Sequence, residues 1–311
     1  DDDDYEEYQL AQDEAEHQNA MAMQEQMATS GGSRTPVNRT PPVEGGIKSV
    51  ANSGGEKVAP SEFYNNMYST LKAKAEEMGF ENDRRWMLID LENQFVTQRK
   101  YPNLSQFYPQ IKGDKISINH HDKKHEFLIS ETLGEPIFSK VWDDETKVVE
   151  VNRSTSKWFS EALGFECKLV KIVNQGDRKH NSTKLNTTLN VSLADGYPYL
   201  LIGSESLNFL NQKLDEKITI SRFRPNIVIS SLIAHEEDSF GNFQIGNVKF
   251  KNAKPCGRCI MVNNNLMNGI VKIEPLHTLS SYRKVDNSIL FGTNVMCLNE
   301  GEISIGDPLV F

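Results

Sequence analysis

From residue 80 onward the chain is a succession of short apolar segments, each bounded by Gly, Asp, Asn or Pro. Segments of this length and spacing are typical of β-strands in sandwiches and barrels. The predicted strands are RRWMLID (84–90), QFVTQ (94–98), KISIN (115–119), EFLIS (126–130), KVVEV (147–151), KLVKIV (168–173), YPYLLIG (197–203), NIVIS (226–230), FQIGNVKF (243–250), CIMVN (259–263), LFGTNVMCL (290–298) and EISIG (302–306). The polar stretch 174–192 is predicted to be a loop. We therefore predict a mainly β protein with a few helices, an α+β chain built on barrel-like sheets.

A few segments show a helical pattern instead. They are SEFYNNMYSTLKAKAEEMG (61–79), STSKWFSEALG (154–164), SESLNFLNQKL (204–214) and EPLHTLSSYR (274–283). Ser61, Ser154 and Ser204 are placed to cap the first three, since a serine hydroxyl accepts a hydrogen bond from an unpaired amide at a helix start. Gly79 and Gly164 are placed to end two of them.

The N-terminal part of the chain has a different composition. Residues 1–30 carry ten acidic side chains and no Lys or Arg, and residues 29–60 are rich in Ser, Gly, Pro, Thr and Asn. Such segments bury too little apolar area to offset chain entropy, so residues 1–60 are predicted to be a disordered acidic head and linker. The formal net charge is −9, so the remaining chain is close to neutral. It lacks the basic excess of nucleic-acid-binding proteins.

Nothing in the sequence indicates a membrane span or a secretory signal. No run approaches the roughly 18 apolar residues that cross a bilayer, and the first residue is Asp1, so an upstream targeting segment stays an open alternative. The four cysteines are Cys167, Cys256, Cys259 and Cys297. This is too few for a secreted disulfide scaffold, which favours a reducing, cytoplasmic location.

Two of the cysteines lie close together in K-P-C-G-R-C (254–259). Such a pair is compatible with a redox couple, with half of a zinc site, or with one ligand thiolate beside a bystander. Cys167 and Cys297 are isolated in apolar strands and are expected to be inert core residues. Arg258, next to Cys259, favours the thiolate form that binds metals.

An ordered series of motifs resembles one known family. The motifs are R-F-R-P-N-I-V (222–228), I-G-N-V-K-F (245–250), K-P-C-G-R-C (254–259), N-G (268–269), E-P-L-H-T-L-S-S-Y-R (274–283), L-F-G-T-N (290–294) and G-E-I-S-I-G-D (301–307). Together they resemble the MOSC domain. Upstream, N-D-R-R-W-M-L-I-D (82–90), T-Q-R (97–99) and W-F-S-E-A-L-G (158–164) resemble the β-barrel domain that precedes MOSC. The resemblance implies an N-terminal barrel over 61–170 and a MOSC domain over 171–311.

The resemblance also implies a cofactor. MOSC proteins can hold the molybdenum cofactor, a pyranopterin dithiolene, and a cysteine thiolate completes the sulfur ligation of the metal. Matching K-P-C-G-R-C places this ligand at Cys259, and a soft thiolate suits such a metal. The residues matching cofactor-binding positions are Arg84, Asp195, Gly196, Tyr197, Arg224, Asn226, Gly257, Arg258 and Asn294. Arginine can contact the phosphate in bidentate fashion, and the asparagine amide can read a pterin edge.

The sequence departs from the family at its start. The family usually opens with an apolar strand ending in Y-P-x-K-S, whose Lys and Ser bind the cofactor phosphate. Here the nearest match is G-I-K-S (46–49), which no apolar strand precedes. Two alternatives follow: either Lys48 and Ser49 hold the phosphate, or the match is accidental and one phosphate anchor is missing.

The function implied by the resemblance is that of a molybdenum oxidoreductase. Like the amidoxime-reducing members, it would reduce N-hydroxylated compounds by oxygen transfer to molybdenum. The chain has no flavin, nicotinamide or iron–sulfur fingerprint, so the electrons would come from a separate ferredoxin, flavoprotein or cytochrome b5-like protein. The alternatives are a non-catalytic cofactor carrier and a sulfurase C-terminal-like module. The latter ranks lower because no pyridoxal-phosphate lysine domain is recognisable, so pyridoxal phosphate is only a family-level association.

Overall fold

A computed structural model of the protein describes Val58–Ala59 and residues 72–311, except positions 175, 177 and 183. The strands are β1 (Val58–Ala59), β2 (Lys72–Glu76), β3 (Gly79–Phe80), β4 (Trp86–Ile89), β5 (Tyr108–Lys112), β6 (Lys115–His120), β7 (Lys123–Leu128), β8 (Leu133–Val141), β9 (Asp144–Glu150), β10 (Lys168–Ile172), β11 (Lys179–Ser182), β12 (Thr187–Asn190), β13 (Tyr199–Gly203), β14 (Ile227–Ile229), β15 (Asn242–Ile245), β16 (Val248–Gly257), β17 (Lys284–Val285), β18 (Ser288–Cys297), β19 (Gly301–Ser304) and β20 (Leu309–Val310). The α-helices are α1 (Arg153–Leu163), α2 (Ser204–Asn211) and α3 (Leu276–Arg283), and 3-10 helices span Pro102–Gln106, Ile220–Phe223, Glu236–Ser239 and Ile260–Asn263. The predicted mainly β class with a few helices is confirmed. The acidic head, Lys48 and Ser49 lie outside the described residues.

The largest sheet has the order β1-β14-β13-β18-β16-β15-β20, with β17 on β18, and curls into a nearly closed barrel. All five residues of β13 are buried. Tyr199 and Leu201 point into the barrel, whereas Leu200 and Ile202 pack outside it with residues of α2 and α3. This strand is covered on both faces, which explains why it is a continuous apolar run rather than an alternating one.

A second β-rich region holds a four-stranded sheet, β4-β10-β9-β8, and a three-stranded sheet, β5-β6-β7. Helix α1 packs on it through Phe159. The predicted cap of α1 was wrong by two positions: the Asn152 side chain, not Ser154, accepts the Thr155 amide at 2.7 Å. Gly164 ends the helix in the left-handed conformation, as predicted. None of the helices in the described residues is long and apolar enough to cross a bilayer.

The segment predicted as a helix over 61–79 is a strand where the structure describes it. Residues Lys72–Glu76 form β2, which pairs with β19 from the other end of the chain. Ala73 and Ala75 face the barrel core, and Gly79, at φ +119°, begins β3 instead of ending a helix. Ala, Lys and Glu favour helices by propensity. Pairing with β19 and burial of the two alanines override that preference.

Four other predictions of local structure were also wrong. The predicted strand 94–98 forms only isolated bridges, between Phe95 and Ile89 and between Gln94 and Lys140. The predicted loop 174–192 contains the hairpin β11–β12. The sequence pattern did not indicate it, because Leu189 is the one buried apolar side chain among the described residues of the hairpin. The predicted strand 259–263 is the 3-10 helix Ile260–Asn263. Here the Asn263 side chain accepts the Leu276 amide and donates to Ile273 O, so the segment turns toward α3 instead of extending. Helix α2 begins after Gly203 without a side-chain cap, so Ser204 does not cap it.

A bulge interrupts the pairing of β16 with β18 beside Gly292. Gly292 has φ +74°, and a Cβ there would lie 2.6 Å from Ile202 Cγ1 and 2.9 Å from Leu201 O. Gly113 also has a positive φ, +62°, but nothing lies within 4 Å of its Cβ position. Comparing alanine substitutions at these two glycines therefore separates the cost of a positive φ from the cost of steric overlap.

Gly292→Ala is expected to destabilise the fold more than Gly113→Ala. Both substitutions place alanine in the left-handed region, which costs about 1–2 kcal/mol. Only the first also overpacks the core, which adds about 1–3 kcal/mol. Urea unfolding of the two variants measures the difference in free energy of unfolding. Equal losses of stability would show that steric overlap at Gly292 adds nothing.

Candidate functional site

Asp83 is the centre of a buried hydrogen-bond network that joins the two β-rich regions. It is 2% exposed and lies between β3 and β4. Its Oδ2 accepts from Arg84 Nη1 at 2.6 Å and from Asn226 Nδ2 at 2.8 Å. Arg84 Nη2 donates to Arg224 O at 3.3 Å. Three of the predicted cofactor-binding residues are therefore brought together around one carboxylate that the sequence analysis did not single out.

Asn226 has a positioning role in this network. Its side chain is 1% exposed, and its Oδ1 accepts the Leu200 amide at 2.9 Å. Its amide nitrogen donates to Asp83, so the group predicted to read a pterin edge is already hydrogen-bonded inside the protein. The backbone of Arg224 has φ +52°, which is uncommon for a residue other than glycine. The backbone around Arg224 is held by the hydrogen bonds of Asn226 with Leu200 and Asp83, and by the hydrogen bond from Arg84 to Arg224 O.

Cys259 follows the end of β16 and lies at the start of the 3-10 helix Ile260–Asn263. Its side chain is partly exposed, and all four cysteines are thiols rather than disulfides. Arg258 connects this segment to the arginine network: its Nη2 donates to Phe223 O at 2.8 Å, directly before Arg224. The predicted metal ligand therefore lies beside the arginine-bearing turn.

The Arg258 guanidinium also contacts the other thiol of the motif. Its Nη1 donates to Cys256 Sγ at 3.2 Å, and Cys256 packs against the cluster of Leu200, Phe223 and Phe291. Cys256 is therefore a packed thiol that accepts a hydrogen bond from Arg258. Arg258 thus has a direct contact with Cys256, in addition to its predicted influence on Cys259.

The two remaining cysteines are core residues, as predicted. Cys167 is 4% and Cys297 is 5% exposed. Burial raises the pKa of the Cys167 thiol, and burial raises the pKa of Cys297 to about 11. Neither thiol is therefore poised to ionise near neutral pH.

A buried arginine organises the loop of Asp195, Gly196 and Tyr197. Arg178 is 1% exposed, and its Nη1 donates to Ser192 O at 3.0 Å and to Ala194 O. Its Nη2 donates to Asp195 O at 3.0 Å, and its Nε donates to Asp144 Oδ2 at 2.9 Å. This one side chain satisfies three backbone carbonyls of the loop and anchors them to the start of β9.

The Asp195 carboxylate lies in a field of positive charge. Desolvation by the surrounding protein opposes its ionisation, but Arg99, Arg224 and Arg84 outweigh this effect and hold the pKa of Asp195 below its ordinary value. The Trp142 indole adds a hydrogen bond to Oδ1 at 3.1 Å. Asp195 is exposed at the surface. Because the surrounding arginines favour its charged form, the carboxylate is ionised at neutral pH.

The other predicted residues border the same loop. The Tyr197 ring lies 5.9 Å from Lys254 Nζ, and its hydroxyl is hydrogen-bonded to Ser182 Oγ. On the neighbouring strands, Asn294 in β18 pairs with Lys254, and Gly257 pairs with Leu290. Gly196 lies against His180, whose Cε1 would be 3.4 Å from a Cβ at that position.

The donor set fits the molybdenum cofactor. Arg84, Arg99 and Arg224 outnumber the carboxylates of Asp83 and Asp195, which suits a ligand bearing a phosphate. Arg258 Nε is buried and has no hydrogen-bond partner among the described residues. Cys259, the residue after Arg258, has a partly exposed thiol, and a soft thiolate suits this metal.

Asp83, Trp142 and Arg178 lie in this region but were not among the predicted site residues. Asp83 carried one usable signal, since an acid directly before two arginines is placed to pair with one of them. Trp142 lies in a turn and Arg178 in a polar stretch, where nothing in the local pattern indicates a role in the site. Their roles depend on contacts with segments distant in sequence.

An aromatic cluster is built around Phe223, the residue before Arg224. Phe223 stacks on Phe291 at 4.1 Å between ring centroids, and His235 lies 5.8 Å from Phe291 and from Tyr282. Burial, with a smaller contribution from Arg283, lowers the pKa of His235 to about 4. His235 is therefore neutral in the folded protein.

This predicts a loss of stability on acidification. The unfolded state binds a proton at His235 below about pH 6.5, whereas the folded state does so only near pH 4, so stability falls as the pH falls through that window. At 1.36 kcal/mol per pKa unit, discounted for partial exposure, His235 contributes about 2–3 kcal/mol to that loss. The free energy of unfolding of His235→Gln should decline less over this window than that of the wild type. Because burial also lowers the pKa of His120 and His125, the slope should decrease without vanishing. An unchanged slope would contradict the assignment.

The family models for two domains match this chain. The MOSC domain model matches residues 188–310, and the MOSC N-terminal beta barrel domain model matches residues 66–166. Between them they cover most of the described residues and both β-rich regions. The match agrees with the fold and with the ordered series of motifs.

Two relatives illustrate the similarity. Mitochondrial amidoxime-reducing component 1 of Homo sapiens is 30% identical over 244 residues, which are 73% of this chain and 72% of that protein. Molybdenum cofactor sulfurase of Arabidopsis thaliana is 32% identical over 242 residues, which are 69% of this chain but only 29% of the sulfurase. The chain thus matches a minor part of the sulfurase and most of the human protein. It belongs to the MOSC domain family.

Proposed function

We propose that the protein is a molybdenum-cofactor-dependent oxidoreductase that reduces N-hydroxylated compounds. The observation that carries the proposal is the partly exposed Cys259 thiol on the segment that Arg258 joins, through Phe223, to the network of Arg84, Arg224 and Asn226. When bound, the cofactor would supply a metal centre that accepts the oxygen of an N–O bond. Electrons would come from a separate ferredoxin, flavoprotein or cytochrome b5-like protein. The proposed location is the cytoplasm.

The residues of the site have different roles in binding the cofactor. Cys259 ligates the metal as a thiolate. Arg84 and Arg224 bind the phosphate. Asp83 and Asn226 hold Arg84 in place through hydrogen bonds, and Arg84 in turn donates to the Arg224 backbone oxygen. The loop of Asp195, Gly196 and Tyr197 contacts the pterin, with Gly257 and Asn294 bordering it. Lys48 and Ser49 are proposed as a further phosphate anchor.

The proposal is tested on the full chain produced in a host that makes the cofactor. Molybdenum and pterin should copurify with the protein in equal amounts. Reduction of an N-hydroxylated amidine should occur only when a reduced electron-transfer protein is added. Turnover with NADH and the isolated protein would contradict the need for a separate donor, and absence of both molybdenum and pterin would contradict cofactor binding.

A second candidate function is a non-catalytic module that holds the cofactor, similar to the C-terminal part of a sulfurase. The observation that favours it is the 32% identity to the Arabidopsis molybdenum cofactor sulfurase. The same experiment separates the two, since a carrier module copurifies with molybdenum and pterin but does not reduce N-hydroxylated compounds with any added donor.

A further inference from the structure

The turn between β8 and β9 reaches across to the Asp195 loop. Trp142, at φ +56°, is the first residue of this turn. Its Nε1 donates to Asp195 Oδ1 at 3.1 Å. The Arg99 guanidinium carbon lies 4.2 Å from the centroid of the Trp142 ring, and Phe95 packs edge-on against the same ring at 5.9 Å. One indole therefore contacts both a carboxylate and a guanidinium of the candidate site.

The same turn also controls the backbone of the loop. Asp144, two residues after Trp142, holds Arg178, and Arg178 donates to the carbonyl oxygens of Ser192, Ala194 and Asp195. Arg178 thus sets where the loop runs. Its hydrogen bonds are with the loop backbone and Asp144, whereas the Trp142 indole donates to the Asp195 carboxylate itself.

The charges around Asp195 make this direction important. Arg84, Arg99 and Arg224 lie close enough to favour its ionised form, and His180 lies beside Gly196. A carboxylate able to rotate among three guanidinium groups would pair with any of them and neutralise part of the cationic cluster. The indole N–H gives it one preferred orientation, and a cation–π contact keeps Arg99 over one face of the ring.

We propose that Trp142 is a positioning residue of the cofactor site, orienting the Asp195 carboxylate and the Arg99 guanidinium toward the bound pterin. This inference rests on the proposed cofactor binding. It assigns a role to a residue outside the cofactor-matching positions. Trp142→Phe keeps an aromatic ring against Arg99 and Phe95 and removes only the N–H donor, so the variant isolates the hydrogen bond.

The first test needs no cofactor. In full-length protein labelled with 15N-tryptophan, Trp142→Phe identifies the Trp142 indole resonance by its loss. In the wild type this resonance should shift as Asp195 is protonated, at an apparent pKa below the ordinary aspartate value. The shift should disappear in Asp195→Asn. An indole resonance that does not respond to Asp195→Asn would overturn the proposal.

The second test measures retention of the cofactor. Removing a hydrogen bond to a charged group should make pterin leave the loaded Trp142→Phe protein about tenfold faster than the wild type, measured by pterin fluorescence in the filtrate. Trp86→Phe is the matched control, because the buried Trp86 indole nitrogen has no hydrogen-bond partner among the described residues. The proposal would be overturned if the loaded wild type and the loaded Trp142→Phe variant release pterin at the same rate. A wild type purified without pterin would contradict the proposed function instead, and the indole titration would then decide the role of Trp142.

Discussion

Cys259→Ser is expected to abolish N-reductase activity and to change the visible spectrum of the molybdenum centre. Serine replaces a soft thiolate by a hard hydroxyl that stays protonated near neutral pH, so the metal loses a charged, covalent sulfur ligand. Arg84 is held by Asp83 and donates to the Arg224 backbone oxygen, and the substitution alters neither of these contacts. Pterin should therefore remain bound while activity is lost. The measurements are molybdenum and pterin content, visible absorption and reductase activity.

Cys256→Ser is the matched control, because it makes the same atomic change three residues away. Arg258 Nη1 already donates to Cys256 Sγ at 3.2 Å, and a serine hydroxyl can accept that hydrogen bond. We expect full spectral identity and a loss of only about 0.5–1.5 kcal/mol in the free energy of unfolding. A redox pair predicts instead that both variants lose activity equally and that the oxidised wild type contains a disulfide. Equal losses would remove Cys259 from the role of metal ligand.

Arg178→Met is expected to lower the free energy of unfolding by about 3–5 kcal/mol, because three loop carbonyls lose their buried hydrogen-bond donor. The lost side chain is 1% exposed and contacts Asp144 and three loop carbonyls. Methionine fills similar space but offers none of these donors. Because the same loop carries Asp195 and Tyr197, pterin content should fall together with stability.

Lys179→Met is the control for Arg178→Met, since Lys179 is the next residue and is exposed. Exposed substitutions usually change stability by no more than about 0.5 kcal/mol. Asp144→Asn should be milder than Arg178→Met, because the Asp144 side chain is 36% exposed and the amide can bond with water. Chemical denaturation compares the midpoints of the three variants. An Arg178→Met midpoint within the range of Lys179→Met would contradict the role assigned to this arginine.

Much of the candidate site follows from local sequence. K-P-C-G-R-C, D-R-R-W and R-P-N each place a chemically distinctive side chain at one position, and the contacts of Arg84, Arg224 and Arg258 join these segments in the fold. Local sequence could not show which of these groups face a ligand. Asn226 has the chemistry to read a pterin edge, but its amide bonds Asp83 and the Leu200 backbone.

The sequence by itself determined the mainly β class, most strand positions, α1 and the residues of the cysteine and arginine motifs. These features rest on short-range patterns: apolar runs between turn residues, Gly164 at a helix end, and thiol and guanidinium groups at characteristic spacing. Tertiary structure decided the rest. Lys72–Glu76 is a strand because β19 pairs with it, and Arg178 and Trp142 become part of the site because segments distant in sequence supply their carbonyl and carboxylate partners. The physical reason is that the free energy of burial and hydrogen bonding depends on neighbours in space, which a local pattern does not contain.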